Sequence, residues 1–349
     1  MLAMRAHIGM KLSGLILAIL CTLWIPSIAR SEINSLSIIE DMAMKSRYDK
    51  WLEHNGRKYD TRDEYLLRFG IYHSNVQFIQ YINSQNLSFK LTDNKFADLT
   101  NDEFKSIYLG FQPRKYKRTN PSYRYENHTE VPDTKDWRQE GAVTPIKDQG
   151  QCGSCWAFSA VAAVEGINKI KTGTLVSLSE QELIDCDVAG SNKGCSGGFM
   201  EKAFTFIKSN GGLTTENDYP YKGTDGTCEK SKTANHAATV SGYETVPINS
   251  ETSLQAAVSK QPVSVAIDAS GYPFQLYSSG ILSGFCGVEL NHGVTAVGYG
   301  ASDGHKYWLV KNSWGTKWGE SGYVRMKRGS TDKKGMCGIA ADASYPIKD

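Results

Sequence analysis

The residues best suited to chemistry are a cysteine, a histidine and an amide side chain. Cys155 lies at the predicted start of a helix, directly after Cys152-Gly153-Ser154 and six residues after Gln149. The unpaired N–H groups at a helix N-terminus favour an anion, so we expect this position to lower the pKa of the thiol and favour the nucleophilic thiolate. The alternative is a buried structural cysteine, and the flanking glycines and the upstream Gln149 argue against it.

A thiolate nucleophile needs a base, and the base needs a third group to orient it. His292 lies in Leu290-Asn291-His292-Gly293, immediately before an apolar strand, whereas the other six histidines lie in the N-terminal part or in polar stretches. Asn312 follows another predicted strand, and its amide oxygen can accept the imidazole N–H. Cys155, His292 and Asn312 therefore predict covalent catalysis by a thiol.

The number of cysteines supports a reactive thiol. Cys21 lies in the N-terminal apolar segment, and the other seven are Cys152, Cys155, Cys186, Cys195, Cys228, Cys286 and Cys337. In an oxidising compartment six of these seven can pair, which leaves either a reactive thiol or an intermolecular link. The spacing of Cys152 and Cys155 also resembles a redox or zinc pair. Because no second Cys-x-x-Cys and no His-x-x-x-His follows, we predict no metal site.

The first 30 residues are typical of a signal peptide. Arg5 precedes the apolar run Leu12–Trp24, and the small residues Ser27 and Ala29 follow it. A membrane anchor is the alternative, but the run is shorter than the roughly 20 apolar residues that a span needs. We therefore predict a signal peptide over residues 1–30 and no stable membrane anchor.

The stretch from Ile38 to Asn83 is charged, with aromatic and aliphatic residues at mostly three- or four-residue steps. This period predicts amphipathic helices, and Thr61 before Glu64 forms a capping box that would start the second one. Two glycosylation acceptors follow, at Asn86 and Asn127.

A polar segment with a basic run, Arg114–Arg118, separates this region from the rest of the chain. We interpret it as an exposed linker of the kind that proteases cut, rather than as a nucleic-acid site. The net charge of +2 gives no general indication of nucleic-acid binding either.

From Val131 onward helices come first and short strands follow. The predicted helices are Cys155–Lys171, Ser179–Asp187 and Phe199–Ser209, and the predicted strands are Val263–Ile267, Val294–Tyr299, Tyr307–Val310 and Tyr323–Met326. A helical lobe beside a sheet lobe would leave a cleft between them, where sites often form.

Three motifs together resemble one family. Cys-Gly-Ser-Cys-Trp at Cys152, Asn-His-Gly-Val at Asn291 and Asn-Ser-Trp-Gly at Asn312, in this order, are similar to the papain family, close to its plant and cathepsin L-like branch. The resemblance implies an α+β fold with two lobes, one helical and one β-barrel-like, and an N-terminal α-helical inhibitory prodomain. It implies a propeptide over residues 31–130 and a mature peptidase over 131–349.

The resemblance also implies residue roles. Cys155 resembles the nucleophile, His292 the imidazolium that pairs with it, Asn312 the orienting residue, and Trp314 the side chain that shields this pair from water. Gln149 resembles the side-chain donor of an oxyanion hole, with the Cys155 backbone N–H as the other donor. The implied reaction is peptide hydrolysis through an acyl-enzyme on sulfur, with no cofactor and no metal.

Substrate contacts and disulfides follow from the same resemblance. Gly197 and Gly198 resemble the segment that pairs with the substrate backbone as an added strand. The pocket for the second residue before the scissile bond would be lined by Phe199, Met200, Ala266, Leu290 and Asp342. Asp342 would also admit Lys or Arg, the alternative being an exposed carboxylate that faces solvent. The implied disulfides are Cys152–Cys195, Cys186–Cys228 and Cys286–Cys337; the residues alone permit fifteen pairings of six cysteines.

The N-terminal helical part resembles the inhibitory propeptide of this branch. Its spaced pattern is Glu64, Arg68, Asn75, Ile79 and Asn83, with Tyr72 where Phe is usual, and a second element is Asn94, Phe96 and Asp98, with Thr92 where Gly is usual. We expect acid to loosen it, because carboxylates such as Asp98 lose their charge near pH 4.

The predicted protein is thus a cysteine endopeptidase made as an inactive zymogen. Its expected partners are protein and peptide substrates, its own propeptide as inhibitor and cystatin-type inhibitors, and a monomer is expected. We expect it in the secretory pathway, in the vacuole or lysosome or outside the cell. Two alternatives remain open at this point: a non-catalytic storage or binding relative, and a peptide ligase.

Overall fold

The computed structural model describes residues 27–112, 123–128 and 130–349, with side chains from residue 39 onward. Most of the predicted signal peptide, the basic run Arg114–Arg118 and Thr129 of the second glycosylation acceptor lie outside the described residues. The chain divides into two compact units, residues 1–69 and 70–349. No helix in the described ranges is long and apolar enough to cross a membrane.

Helix α1 (Ser27–Asn55) and the start of α2 (Arg62–Ser84) form the described part of the first unit. Its core is aromatic: the Tyr48 ring lies 5.9 Å from Trp51 and 5.4 Å from both Tyr65 and Phe69, measured between centroids. The Thr61 hydroxyl accepts a hydrogen bond from the Glu64 N–H at 3.2 Å, so α2 begins where the capping box predicts.

The second unit opens with the rest of α2 and with two short elements, β1 (Phe89–Leu91) and α3 (Asn101–Tyr108). Asn83 joins β1 to α2, since its side chain both donates to the Leu91 carbonyl and accepts from the Leu91 N–H, each at 2.9 Å. Asn94 donates to the Gln275 carbonyl at 2.9 Å, which joins the predicted propeptide to the later chain.

The helices of the first half of the predicted peptidase are close to their predicted positions. They are α4 (Cys155–Thr172), α5 (Glu180–Cys186), α6 (Met200–Asn210) and the short α7 (Lys230–Thr233). Helices α4 and α6 end at Gly173 and Gly211, both in the left-handed conformation that glycine adopts without strain.

The N-terminus of α5 has only half of a capping box. The Ser179 hydroxyl accepts the Glu182 N–H at 3.0 Å. The Glu182 carboxylate does not return to Ser179; it accepts from the Thr214 N–H and the Asn210 amide, both at 2.8 Å. Contacts with residues distant in sequence have therefore replaced the local contact between Glu182 and the Ser179 backbone.

The second half is a largely antiparallel sheet with helices α8 (Glu251–Val258) and α9 (Tyr272–Gln275) against it. Its strands are β2 (Lys135–Asp136), β3 (Gly242–Thr245), β4 (Val263–Ile267), β5 (Tyr277–Leu282), β6 (His292–Ser302), β7 (His305–Lys311), β8 (Tyr323–Lys327) and β9 (Ala343–Ile347). The order is β1-β5-β8-β7-β6-β4-β9-β3, with β2 also on β6. Strand β6 lies between β4 and β7, so His292 at its start is paired with Ile267.

Three disulfides cross-link the chain between Cys152 and Cys337. They are Cys152–Cys195, Cys186–Cys228 and Cys286–Cys337, the pairings that the family resemblance implied. Cys155 is the free cysteine of the described chain.

Candidate active site

Cys155 is the first residue of α4, and its side chain is fully buried. The chain enters the helix through Ser154, whose carbonyl accepts the Ala157 N–H at 2.8 Å. The Gly293 N–H donates to the Cys155 sulfur at 3.4 Å, which places the start of β6 beside the thiol. The helix start and the strand start thus bring residues 155 and 293 together across 138 positions of sequence.

The expected lowering of the thiol pKa is wrong for this covered state of the site. Burial raises the pKa of Cys155 to about 11, although the backbone N–H groups of Gly293 and Gly110 act in the opposite direction. The free-energy cost of removing the thiolate from water is larger here than the stabilisation that the nearby N–H groups give it. The thiol is therefore neutral at physiological pH while the chain around Gly110 covers it.

The imidazole of His292 is held in one tautomer. Its Nε2 lies 2.8 Å from the Asn312 Oδ1, which also accepts the Ser313 N–H at 2.8 Å. An amide oxygen only accepts, so Nε2 carries the proton. Burial lowers the pKa of His292 to about 4, which leaves the ring neutral and Nδ1 unprotonated. Within the described residues Nδ1 has no hydrogen-bond partner, so its lone pair is available to accept a proton as a general base.

Trp314 covers the His292–Asn312 pair. The two rings stack at 4.6 Å between centroids with 24° between planes, and Trp314 is fully buried. Five further aromatic rings surround it: Phe96, Phe104 and Tyr108 from the propeptide region, and Phe274 and Trp318. This apolar cover keeps water from competing for the His292–Asn312 hydrogen bond.

Gln149 is buried and held at both ends. Its backbone N–H donates to the Ser313 carbonyl at 2.8 Å, and the Ser313 hydroxyl donates to its Oε1 at 2.6 Å. Its Nε2 then donates to the carbonyls of Cys152, at 2.8 Å, and of Tyr108, at 3.1 Å. Ser313 thereby decides which end of the amide is the donor.

The segment Tyr108–Gln112 passes directly over the site. The Gly110 carbonyl accepts the Gly198 N–H at 2.9 Å, and the Gln112 N–H donates to the Gly198 carbonyl at 3.4 Å, in a parallel bridge. The Phe111 N–H donates to the Asn291 carbonyl at 3.0 Å. A side chain at Gly197 would come within 2.4 Å of the Gly110 carbonyl, so the close approach of the two backbones requires glycine there.

Most of the predicted pocket residues lie together. Met200 and Ala266 belong to one buried apolar cluster with Phe111, and Phe199 and Leu290 pack against it. The Phe111 ring lies 5.7 Å from that of Phe199, at 75°. Phe111, which lies in the predicted propeptide, therefore packs in the apolar region that the family resemblance assigned to substrate.

Asp342 is adjacent to this region, since its carbonyl accepts the Ala266 N–H at 2.9 Å. Its side chain is buried, so the alternative of an exposed carboxylate that faces solvent is wrong. The reason is that the strand register places residue 342, which directly precedes β9, beside β4.

The sequence analysis missed two residues that support the site. Ser313 orients Gln149, and its place beside Asn312 was a signal that could have identified it. Asn192 supports the Gly197–Gly198 edge: its Oδ1 accepts the Phe199 N–H at 2.7 Å, and its Nδ2 donates to Asp187 at 2.6 Å. Nothing in the sequence pattern around Asn192 indicated this.

Comparison with known proteins agrees with this geometry. The family model described as papain family cysteine protease matches residues 131–347, and the cathepsin propeptide inhibitor domain matches residues 48–104. The senescence-specific cysteine protease SAG39 of Oryza sativa subsp. indica is 54% identical over 312 residues, covering 88% of this chain and 91% of its own. Vignain of Ricinus communis is 53% identical over 308 residues, covering 86% and 85%.

Solved structures of precursors match along most of the chain. The recombinant stem bromelain precursor superposes with a TM-score of 0.81 at 45% identity, covering 88% of this chain and 99% of its own. The proform of the cysteine protease Amb a 11, a ragweed pollen allergen, gives 0.82 at 43% identity, covering 88% and 95%. The chain belongs to the papain family of cysteine proteases and carries that family's propeptide inhibitor domain.

Proposed function

We propose that this cysteine endopeptidase cleaves peptide bonds with Cys155 as nucleophile, and that its own segment Tyr108–Gln112 holds it inactive until the propeptide is removed. One observation carries the second part. The backbone of this segment already bonds to the residues that a substrate would need: the Tyr108 carbonyl accepts from the Gln149 amide at 3.1 Å, and the Gly110 carbonyl accepts from the Gly198 N–H at 2.9 Å.

The proposed reaction uses four residues. His292 Nδ1 takes the thiol proton, the Cys155 sulfur attacks the substrate carbonyl carbon, and the carbonyl oxygen becomes an oxyanion. The Gln149 Nε2–H and the Cys155 backbone N–H stabilise that oxyanion, each worth about 3–4 kcal/mol in comparable sites. The imidazolium gives its proton to the leaving amine, and a thioester remains. Water, deprotonated by His292, attacks the thioester, which releases the carboxylate and restores the thiol.

The covering segment blocks each part of this reaction. The Tyr108 carbonyl accepts the hydrogen bond of the Gln149 side-chain donor. The Gly110 carbonyl and the Gln112 N–H bond to the Gly198 backbone, and Phe111 fills the apolar pocket region. The backbone contacts are those that an added peptide strand would use, so a substrate cannot bind until the segment leaves.

Acid is the proposed trigger for release. Asp98 is buried and interacts with other groups of the chain, so protonation of its carboxylate would weaken those interactions. The lowered pKa of His292 acts in the same direction. Any opened state in which the ring is exposed binds a proton as pH falls from about 6.5 toward 4, and the closed state does not, so the closed state becomes relatively less stable over that range.

Maturation gives a direct test. We propose a signal peptide over 1–30, a propeptide over 31–130 and a mature enzyme from Val131. Purified precursor would be incubated at pH 4–5 beside a Cys155→Ser control, and the products identified by N-terminal sequencing. A new N-terminus near Val131 in the wild type alone is expected. If the wild type is never converted, this activation scheme is wrong.

The pocket suggests the substrate preference. Its apolar lining and its occupant Phe111 favour a bulky apolar residue at the second position before the scissile bond. The buried Asp342 beside Ala266 supports the further proposal that Lys or Arg is admitted there, because a cationic head would meet a carboxylate in a poorly hydrated site.

We propose a secretory route to the vacuole, lysosome or cell exterior. Three disulfides support an oxidising compartment. A relative 51% identical over 327 residues is named a KDEL-tailed cysteine endopeptidase, from Arabidopsis thaliana.

The structure also bears on glycosylation. Asn86 and Asn127 are both exposed, which supports them as glycosylation sites. We also propose that cystatin-type inhibitors compete with substrate for the same cleft. The enzyme is proposed to be a monomer.

A further inference from the structure

We propose that Tyr221 is a positioning residue that fixes the distance between the two donors of the oxyanion hole. Its hydroxyl lies 2.6 Å from the Gln149 carbonyl oxygen and 2.9 Å from the Ser154 hydroxyl oxygen. This inference rests on the proposed function, because it takes Gln149 and Cys155 as the residues that meet the oxyanion.

The direction of both hydrogen bonds follows from the atoms involved. A carbonyl oxygen only accepts, so the single Tyr221 proton goes to Gln149. The Ser154 hydroxyl must then donate to the Tyr221 oxygen, and its other acceptor, the Cys152 carbonyl, is farther away at 3.5 Å. Burial raises the pKa of Tyr221, so its hydroxyl remains a donor throughout the pH range of the enzyme.

Each of the two bonds reaches one arm of the oxyanion hole. Gln149 supplies one donor from its side chain. The other donor is the Cys155 N–H, which belongs to the peptide bond that Ser154 and Cys155 share. Ser154 has no side-chain capping bond to α4, so its hydroxyl is available to Tyr221. The Tyr221 hydroxyl oxygen therefore links Gln149, which carries the first donor, to Ser154, which directly precedes the residue that carries the second.

The Tyr221 ring is itself firmly placed. It lies edge-to-face against Phe158 at 4.9 Å, and its backbone N–H donates to the Glu216 carboxylate at 2.8 Å. Tyr221, Gln149 and Ser154 all lie in the part that remains after the propeptide leaves, so the bridge is present in the active enzyme. Donors held before the reaction need no reorganisation during it, which is why their spacing matters for rate.

The test compares acid-processed wild type with Tyr221→Phe, which removes the hydroxyl and keeps the ring. Three quantities would be measured per titrated active site: kcat/KM on a peptide substrate, inhibition by a peptide aldehyde, and the rate of Cys155 alkylation by iodoacetamide from pH 4 to 9. The aldehyde adduct places an oxyanion in the hole, whereas alkylation needs only the thiolate. We expect about tenfold lower kcat/KM and about tenfold weaker aldehyde inhibition, with the alkylation profile unchanged.

Tyr219→Phe is the matched control. Tyr219 lies two residues away and its hydroxyl donates to Asp185 at 2.7 Å, so the same change removes a buried hydrogen bond outside the site. If Tyr219→Phe gives the same losses, or if Tyr221→Phe slows alkylation as much as hydrolysis, the proposal is wrong. Unchanged hydrolysis and aldehyde inhibition in Tyr221→Phe would also overturn it.

Ser154→Ala provides a second variant should Tyr221→Phe fold poorly. It removes only the hydrogen bond between Ser154 and Tyr221. We expect about threefold lower kcat/KM and about threefold weaker aldehyde inhibition, with unchanged alkylation. No change in either quantity would contradict the proposal. The wild-type alkylation separates the two hypotheses: absence of label on Cys155 would mean that the proposed function itself fails, whatever Tyr221 does.

Discussion

The Gln149 side chain donates a hydrogen bond to the Tyr108 carbonyl, with 3.1 Å between nitrogen and oxygen. The segment Tyr108–Gln112, which belongs to the proposed propeptide, thus engages the donor that the proposed oxyanion hole needs. Its next residues engage the Gly198 backbone and the thiol. Inhibition is therefore predicted to depend on how closely a few backbone atoms around Gly110 can approach the site, and that dependence can be tested by single substitutions.

Gly110→Ala is expected to weaken the inhibitory contact. A Cβ at this position would lie 1.8 Å from the Gly153 carbonyl oxygen, which no side-chain rearrangement can relieve. The precursor should then react with an epoxide-type thiol inhibitor at neutral pH at least tenfold faster than wild type. Gly70→Ala is the control, because the same Cβ in helix α2 meets nothing within 4 Å. Equal reactivity of the two variants would contradict the role of the close approach.

The covered thiol is expected to react slowly with iodoacetamide. Burial raises its pKa to about 11, so only about one precursor molecule in 10,000 should carry the thiolate at pH 7. We expect the alkylation rate of unprocessed protein to rise steadily with pH up to about 11. Processed enzyme should instead react readily near neutral pH. A precursor that is alkylated as fast as processed enzyme at pH 7 would show that the cover does not suppress ionisation.

Asn312→Ala is expected to lower kcat/KM by about tenfold to a hundredfold. Without the Oδ1 acceptor the imidazole is free to rotate or to change tautomer, so Nδ1 is no longer held unprotonated as the base that the mechanism needs. The measurement is kcat/KM on a dipeptide substrate per titrated active site. Asn168→Ala is a suitable control, since it removes a buried amide that bonds the Thr174 carbonyl, far along α4 from Cys155. Full activity in Asn312→Ala would remove Asn312 from the mechanism.

Asp342→Asn is expected to change substrate preference selectively. It keeps the size of the buried side chain and removes its charge. The ratio of kcat/KM for an Arg–Arg dipeptide substrate to that for a Phe–Arg substrate should fall about tenfold, because a desolvated ion pair is lost with only one of them. The Phe–Arg substrate serves as the internal control. An unchanged ratio would show that Asp342 does not contribute to the preference.

Much of the site could be predicted because it is encoded locally. Glycines, a helix start and strand starts surround Cys155, His292 and Asn312, and the family motifs include all three. Strands β1, β2, β3, β5 and β9 were not predicted. For two of them the reason is physical: Phe89–Leu91 is too short to show a period, and β9 contains Pro346, which argues against a strand.

The thiol pKa could not be predicted from the sequence. The helix N-terminus is a local feature, and it does favour the thiolate. The burial that outweighs it is a tertiary effect, since Cys155 is fully buried where residues distant in sequence, such as Gly110 and Gly293, lie beside it. The same reason explains Glu182, whose partners at Asn210 and Thr214 are distant in sequence.

The central claim, that Cys155 is the activated nucleophile, is tested most directly by active-site titration. Acid-processed protein would be treated with an irreversible epoxide-type thiol inhibitor, and the labelled residue located by peptide mass mapping. We predict a single label, on Cys155, with loss of peptidase activity in proportion to labelling. Correctly folded and processed protein that carries no label on Cys155 would contradict the account, and a non-catalytic storage or binding role would then explain the chain better.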